Sequence, residues 1–249
     1  MAFSGTLYSH ELDIDANVHI VLPDRADEGT PIKTVYLLHG SSGGGQNWLN
    51  TRLHPYANRY GAAFILPEVG NTFYRDIPNR GGYFTYIADE LPRTIARFFR
   101  LSQRREDVAV MGCSMGGYGA LKCALSRPEQ YGFCGAFSSG CLGLREYLAG
   151  ARRGEYGIPP AFYAAFGPNL ESGEDDEILD LARRTAHSPV KPSIYMAAGT
   201  EDFLLEVNRE FVPQMEPLGF DFTYEEWPGE HDWFFWDEAL RRALEQWTK

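Results

Sequence analysis

The sequence predicts a doubly wound α/β domain, a mostly parallel central sheet with helices on both faces, and three observations point to it. Short, nearly continuous apolar runs recur at residues 34–38, 62–66, 108–111, 133–137 and 194–198, each bounded by Gly, Pro or charged residues. Such runs read as strands covered on both faces, as in a parallel sheet. Helical periodicity fills the stretches between them, and that alternation is the pattern of an α/β fold. The length of 249 residues suits one undivided domain, 1–249.

Taken in order, Leu12, Ile14, Ala16, Val18, Ile20 and Leu22 alternate with mostly polar neighbours. Period two predicts an antiparallel edge strand with one buried face, ended by Pro23 and the polar residues 24–29. Residues 86–100 carry Ile87, Leu91, Ile95 and Phe98 on one helical stripe, and residues 116–126 form a helix rich in small side chains. Further helices are expected at 204–218 and 237–247, and a last strand at 221–227. Pro92 and Pro213 fall inside helical patterns, so those helices are expected to start late or kink. Residues 141–192 contain no good strand. They hold Gly-Ile-Pro-Pro at 157–160, an acidic run at 171–177 and a helical pattern at 178–184. An insertion of this length reads as a cap or substrate-binding segment. The acidic run reads as solvated surface and a helix start.

Composition narrows the partners. The net charge is −11, and Arg104-Arg105 and Arg152-Arg153 are isolated basic pairs. Such a chain repels phosphate backbones, which argues against nucleic acid and anionic membrane as partners. The four cysteines, Cys113, Cys123, Cys134 and Cys141, form no CxxC pair and no zinc spacing. Three of them sit among apolar or small residues and read as reduced small hydrophobes, which predicts a reducing, cytoplasmic setting. The amino terminus lacks the basic-then-apolar pattern of a signal peptide, and no apolar run approaches the ~18 residues of a membrane span. No metal and no organic cofactor is expected; a homo-oligomer stays open.

Two stretches match Gly-x-Ser-x-Gly, at 40–44 and 112–116. The bare pattern is weak, and context separates the two. Ser114 follows the strand 108–111 and precedes a small-residue helix, as a sharp strand-to-helix turn that exposes a nucleophilic Oγ requires. The helix amino terminus favours developing negative charge. Ser42 lies in a glycine loop with no immediate helix, after an earlier strand, where this kind of fold takes an oxyanion-hole N–H. A serine needs a base. His10, His19 and His54 lie outside the expected strand ends, His39 sits within the glycine loop, and His187 precedes a strand. His231 follows the last strand and its turn, in the order serine, acid, histidine. Glu201 and Asp202, in the loop after 194–198, both qualify as the acid that orients it, with Asp221 a weaker third.

With these residues in place, the sequence resembles the putative-esterase family of α/β-hydrolases, closest to the tributyrin-esterase and cinnamoyl (feruloyl) esterase branch, related to S-formylglutathione hydrolase and esterase D. The resemblance rests on Leu37-Leu38-His39-Gly40 with Gly44 and Trp48, on residues 83–92 (YFTYIADELP), on Gly112-Cys113-Ser114-Met115-Gly116-Gly117-Tyr118-Gly119-Ala120, on Gly199-Thr200-Glu201-Asp202-Phe203-Leu204, and on Gly229-Glu230-His231-Asp232-Trp233. It implies an α/β-hydrolase fold with a cap-like insertion and catalysis by Ser114, Asp202 and His231. It also implies an oxyanion hole from the backbone N–H groups of Ser41 and Met115. The family often carries Leu or Phe where Cys113 stands, which puts that side chain in the core. The expected activity is hydrolysis of a small-molecule ester, short-chain acyl or aryl. The alternatives are an S-formylglutathione-type thioesterase, a feruloyl or acetyl-xylan esterase, an acyltransferase, and, furthest, a binding protein on a hydrolase scaffold. Trp48, Phe73, Tyr74 and Trp233 are candidates for the pocket wall.

Overall fold

A computed structural model of the chain describes residues 1–24 and 31–249. The polar turn expected at 24–29 therefore lies almost wholly outside the described residues. The chain begins with β1 (Ala2–Ser9), β2 (Ile14–Val21), β3 (Lys33–Leu38), α1 (Leu53–Tyr60) and β4 (Ala62–Pro67). A small hairpin, β5 (Asp76–Ile77) with β6 (Gly81–Gly82), stands apart from the main sheet. Next come α2 (Tyr83–Thr85), α3 (Leu91–Phe98), β7 (Val108–Cys113), α4 (Met115–Ser126) and β8 (Phe133–Phe137). The last third holds α5 (Leu144–Arg152), α6 (Pro160–Phe166), α7 (Ile178–Thr185), β9 (Ser193–Gly199), α8 (Leu205–Met215), β10 (Phe222–Trp227) and α9 (Trp233–Trp247).

Eight strands make one sheet in the order β1-β2-β4-β3-β7-β8-β9-β10. β1 with β2 and β2 with β4 are antiparallel, and every later neighbour is parallel. The continuous apolar runs follow from burial on both sides. Val35, Leu37, Ala109 and Met111 pack with α1 and α9 in one layer, while Tyr36, Leu38 and Val110 pack with α3, α4 and α7 in the other. Side chains alternate across the pleat, so both parities must be apolar.

The structure departs from the sequence pattern at several points. The alternating segment 12–22 is a strand only from Ile14, whose side chain is half exposed, with Leu12 buried in the turn before it, and it is not an edge: β2 pairs with both β1 and β4. β1 had no forecast: Ala-Phe-Ser-Gly-Thr-Leu-Tyr-Ser buries only its last residue fully, so it lacks the apolar rhythm of a strand. Pro92 sits in the first turn of α3, in line with the expected late start, and the helical residues before it are irregular. Residues 83–98 stay helical through a π turn at Tyr86–Glu90, and the Ala88 carbonyl, which Pro92 cannot serve, accepts from Gln130 Nε2 at 3.2 Å. Pro213 sits near the end of α8, which tightens into a 3₁₀ turn at Glu216–Leu218.

The segment 141–192 is helical and strand-free, and α7 packs on α4. Its acidic run is not all solvated: Asp176 and Glu177 are buried. Asp176 Oδ1 lies 2.7 Å from Lys122 Nζ, itself buried on α4, and Oδ2 lies 3.1 Å from Arg75. The Asp176 carbonyl accepts from Tyr118 at 2.9 Å, and Thr185 donates to the Leu125 carbonyl at 2.6 Å. These bonds fix the segment to the helix that follows Ser114.

Candidate active site

Ser114 occupies the one-residue turn from β7 into α4, with φ 56° and ψ −120°, a conformation that strains a residue with a Cβ. The turn is held by close backbone approach. A Cβ at Gly112 would stand 2.4 Å from the Gly116 carbonyl oxygen, and one at Gly116 would stand 2.4 Å from that of Leu38. Only glycine fits at both. The Ser114 N–H donates to Phe137 O at 2.8 Å, tying the turn to β8. Met115 opens α4, where an N–H has no acceptor within the helix and the macrodipole is positive.

His231 lies between β10 and α9. Asp232 caps α9 by accepting from Phe235 N at 2.9 Å, which fixes the chain just after the imidazole. His231 Nε2 is 3.0 Å from Ser114 Oγ. Its Nδ1 is 3.0 and 2.9 Å from the two carboxylate oxygens of Asp202. Nδ1 therefore carries a proton toward the carboxylate, leaving Nε2 free to accept from the serine. The Asp202 carboxylate is fully buried and also accepts from Leu204 N at 2.8 Å. Burial pushes its pKa up, but the bonds from His231 and Leu204 outweigh this and hold it below the ordinary 3.8. Glu201 points elsewhere: its carboxylate accepts from Gly229 N at 2.6 Å and braces the loop leading to His231. Asp221 lies at the far end of β10, where its carbonyl accepts from Ile194 N.

The glycine loop after β3 faces the serine. His39 is buried, its Nδ1 donating to Gly40 O at 2.8 Å and its Nε2 accepting from Val69 N at 3.2 Å. Burial lowers its pKa, so it stays neutral as this bonding requires. Asn71 accepts from Ser42 N at 2.7 Å and Asn47 from Gly44 N at 2.7 Å. The exposed N–H of Ser41 has no acceptor among the described residues.

Between this loop and α9 lies a cavity of about 220 Å³, walled by residues 39–43 and Asn47 on one side, Ser114 and His231 at its base, and Trp233 and Trp236 opposite. Of the four expected wall residues, Trp233 is there. Trp48 is not: it is fully buried behind Trp233, ring centroids 5.0 Å apart, with Nε1 donating to Leu38 O at 3.2 Å. Tyr74 is buried, donating to the His39 carbonyl at 2.8 Å, and Phe73 packs on Phe162 and Phe166. Both work inside the core, bracing the loop and the segment 141–192, and none of that segment lines the cavity. The sequence reading missed Asn47 and Trp236, although Trp236 stands one helical turn from Trp233. It also missed Phe203, a residue 77% exposed whose ring is tilted against that of His231, centroids 4.4 Å apart. Cys113 is buried behind the turn, and burial raises its thiol pKa far above the ordinary value; that of Cys141 is pushed up to about 12. Neither is a nucleophile at neutral pH. Among the described residues, no group of three or more His, Cys, Asp or Glu could hold a metal ion.

A profile of the family described as "Putative esterase" matches residues 9–247. The chain belongs to this family. The esterase is 32% identical over 257 residues to an acetyl esterase of Caldicellulosiruptor saccharolyticus, across 97% of this chain and 96% of that relative. It is 27% identical over 232 residues to the S-formylglutathione hydrolase of Bos taurus, across 78% and 79%. Among solved structures it superposes on FphF, a fluorophosphonate-binding serine hydrolase of Staphylococcus aureus, with TM-score 0.86 and 25% identity over 100% of this chain and 98% of that one. The protein is a serine esterase of the α/β-hydrolase fold that hydrolyses carboxylic esters. No helix among the described residues is long and apolar enough to cross a membrane.

Proposed function

We propose that the esterase cleaves short-chain acyl or aryl esters through an acyl-enzyme on Ser114, with His231 as general base and Asp202 as its orienting acid. One observation carries this reading: the bonded series Ser114 Oγ, His231 Nε2 at 3.0 Å, His231 Nδ1, Asp202 at 2.9 Å, contributed by three loops distant in the chain. His231 takes the serine proton as Oγ attacks the carbonyl carbon. The N–H groups of Ser41 and Met115 stabilise the oxyanion, each typically worth ~3 kcal/mol in the transition state. The C–O bond to the alcohol breaks, and the alcohol leaves with the proton from His231. Water, deprotonated by the same imidazole, attacks the acyl-serine and frees the acid and Ser114.

The cavity supports a small acyl or aryl group. Its 220 Å³ is the liquid share of about seven waters, with indole walls for apolar atoms. A formyl thioester is the second reading, favoured by the same small volume and the likeness to S-formylglutathione hydrolases. The segment 141–192 is read as a helical insertion within a single domain, held to it through Asp176, and none of its residues walls the cavity. A reducing, cytoplasmic setting suits the four free thiols. The test is hydrolysis of p-nitrophenyl acetate and S-formylglutathione by wild type and by Ser114→Ala. A loss of roughly 10⁴-fold or more is expected on the preferred substrate. Equal rates for the two proteins would end the proposal.

A further inference from the structure

The two edges of the sheet differ in how they meet solvent. β10, at one edge, carries Glu225 and Glu226 within six residues, with Arg242 and Arg209 bonded to them. Charges are a common way to keep an edge from pairing with another chain. β1, at the other edge, has no charged residue and no proline in eight, in a chain of net charge −11.

Its backbone is poised to pair. Met1 and Leu22 exchange two hydrogen bonds, at 2.7 and 2.8 Å. Bonded and non-bonded pairs alternate along an antiparallel ladder. Phe3, Gly5 and Leu7 therefore turn their N–H and C=O toward β2, and Ala2, Ser4, Thr6 and Tyr8 turn theirs outward. Among the described residues these outward backbone groups have no partner.

We infer that β1 is a dimer interface, where a second copy of this chain adds its own β1 antiparallel across the edge to make one continuous sheet. Twofold symmetry makes the contact isologous, and facing side chains must share a side of the sheet. The register centred on Gly5 satisfies both and uses every outward residue. Ala2 stands opposite Tyr8 and Ser4 opposite Thr6, for about eight backbone hydrogen bonds. On the other side Phe3 faces Leu7. Phe3 stacks on Phe99 at 5.9 Å and Leu7 packs on the core, so the apolar face continues across the junction. The monomer does not require glycine at position 5, where an added Cβ would meet nothing within 4 Å. In the dimer the two Gly5 residues meet on the axis as a non-bonded pair, the closest approach in the ladder, ~4.5 Å between Cα atoms. β1 itself brings no charge to the contact, and the Asp13 carboxylate beside it is bonded to the Tyr8 hydroxyl.

The test is sedimentation equilibrium of wild type, Thr6→Pro and Thr6→Lys. Thr6→Pro removes an outward N–H and leaves the ladder to β2 intact, since Thr6 makes no bond inward. Thr6→Lys keeps the backbone and brings like charges to the axis. Wild type is expected at the mass of two chains. Both variants are expected to raise the dissociation constant, Thr6→Pro by roughly 100-fold or more, with hydrolysis of p-nitrophenyl acetate unchanged, because β1 contributes nothing to the Ser114 cavity. Wild type at the mass of one chain, or both variants dimerising as tightly as wild type, would overturn the inference.

Discussion

Two adjacent carboxylates, Glu201 and Asp202, are separated by orientation. Asp202 is buried against the imidazole, and Glu201 accepts from the Gly229 N–H in solvent. Asp202→Asn keeps the shape but presents an amide to Nδ1, which favours the wrong imidazole tautomer. It should lower kcat/KM by roughly 10³-fold to 10⁴-fold. Glu201→Gln retains an acceptor for Gly229 and should stay within about threefold of wild type. Steady-state kinetics on one p-nitrophenyl ester decides, and the reverse order would move the acid. The positions of Ser114 and His231 could be read from sequence because their geometry demands rare local patterns: glycines two residues either side of a serine, and a histidine between the last strand and helix. The cavity wall could not. Trp48 and Trp233 are both tryptophans near glycine turns, and only tertiary packing puts one behind the other.

At the level of elements, the apolar runs revealed the parallel strands because burial on both faces leaves no room for polar residues. β1 buries little, so nothing in its composition marked it as a strand. Asp176 was hidden for the opposite reason: it sits in an acidic run that looks solvated, while its partners Lys122 and Arg75 are more than 50 residues away. Burial works to raise the Asp176 pKa, but Lys122, the Gly173 N–H and Arg75 together hold it below the ordinary 3.8. A carboxyl with a depressed folded pKa stabilises the fold above the unfolded value of ~3.9, and that contribution is lost as pH falls through the folded pKa. Asp176→Asn strands a buried ammonium and should cost about 3 kcal/mol at pH 7. The gap between wild type and variant in urea unfolding should narrow below about pH 4. A gap that is constant with pH would show that the charge of Asp176 is not what holds the segment.

The whole molecule brings together residues that the chain keeps apart. Ser114 and His231 are 117 positions apart, and the carboxyl ends of β7, β9 and β10 bring their loops to one rim of the sheet. The sequence offers two Gly-x-Ser-x-Gly stretches, and the fold places them differently: one is a strained turn in front of a helix, the other a loop that walls the same cavity. Labelling the protein with a fluorophosphonate and mapping the adduct by peptide mass spectrometry tests that division most directly. The account predicts a single adduct, on the peptide bearing Ser114, with activity lost in proportion to labelling. An adduct on the peptide bearing Ser42, or full activity after Ser114 is blocked, would contradict it.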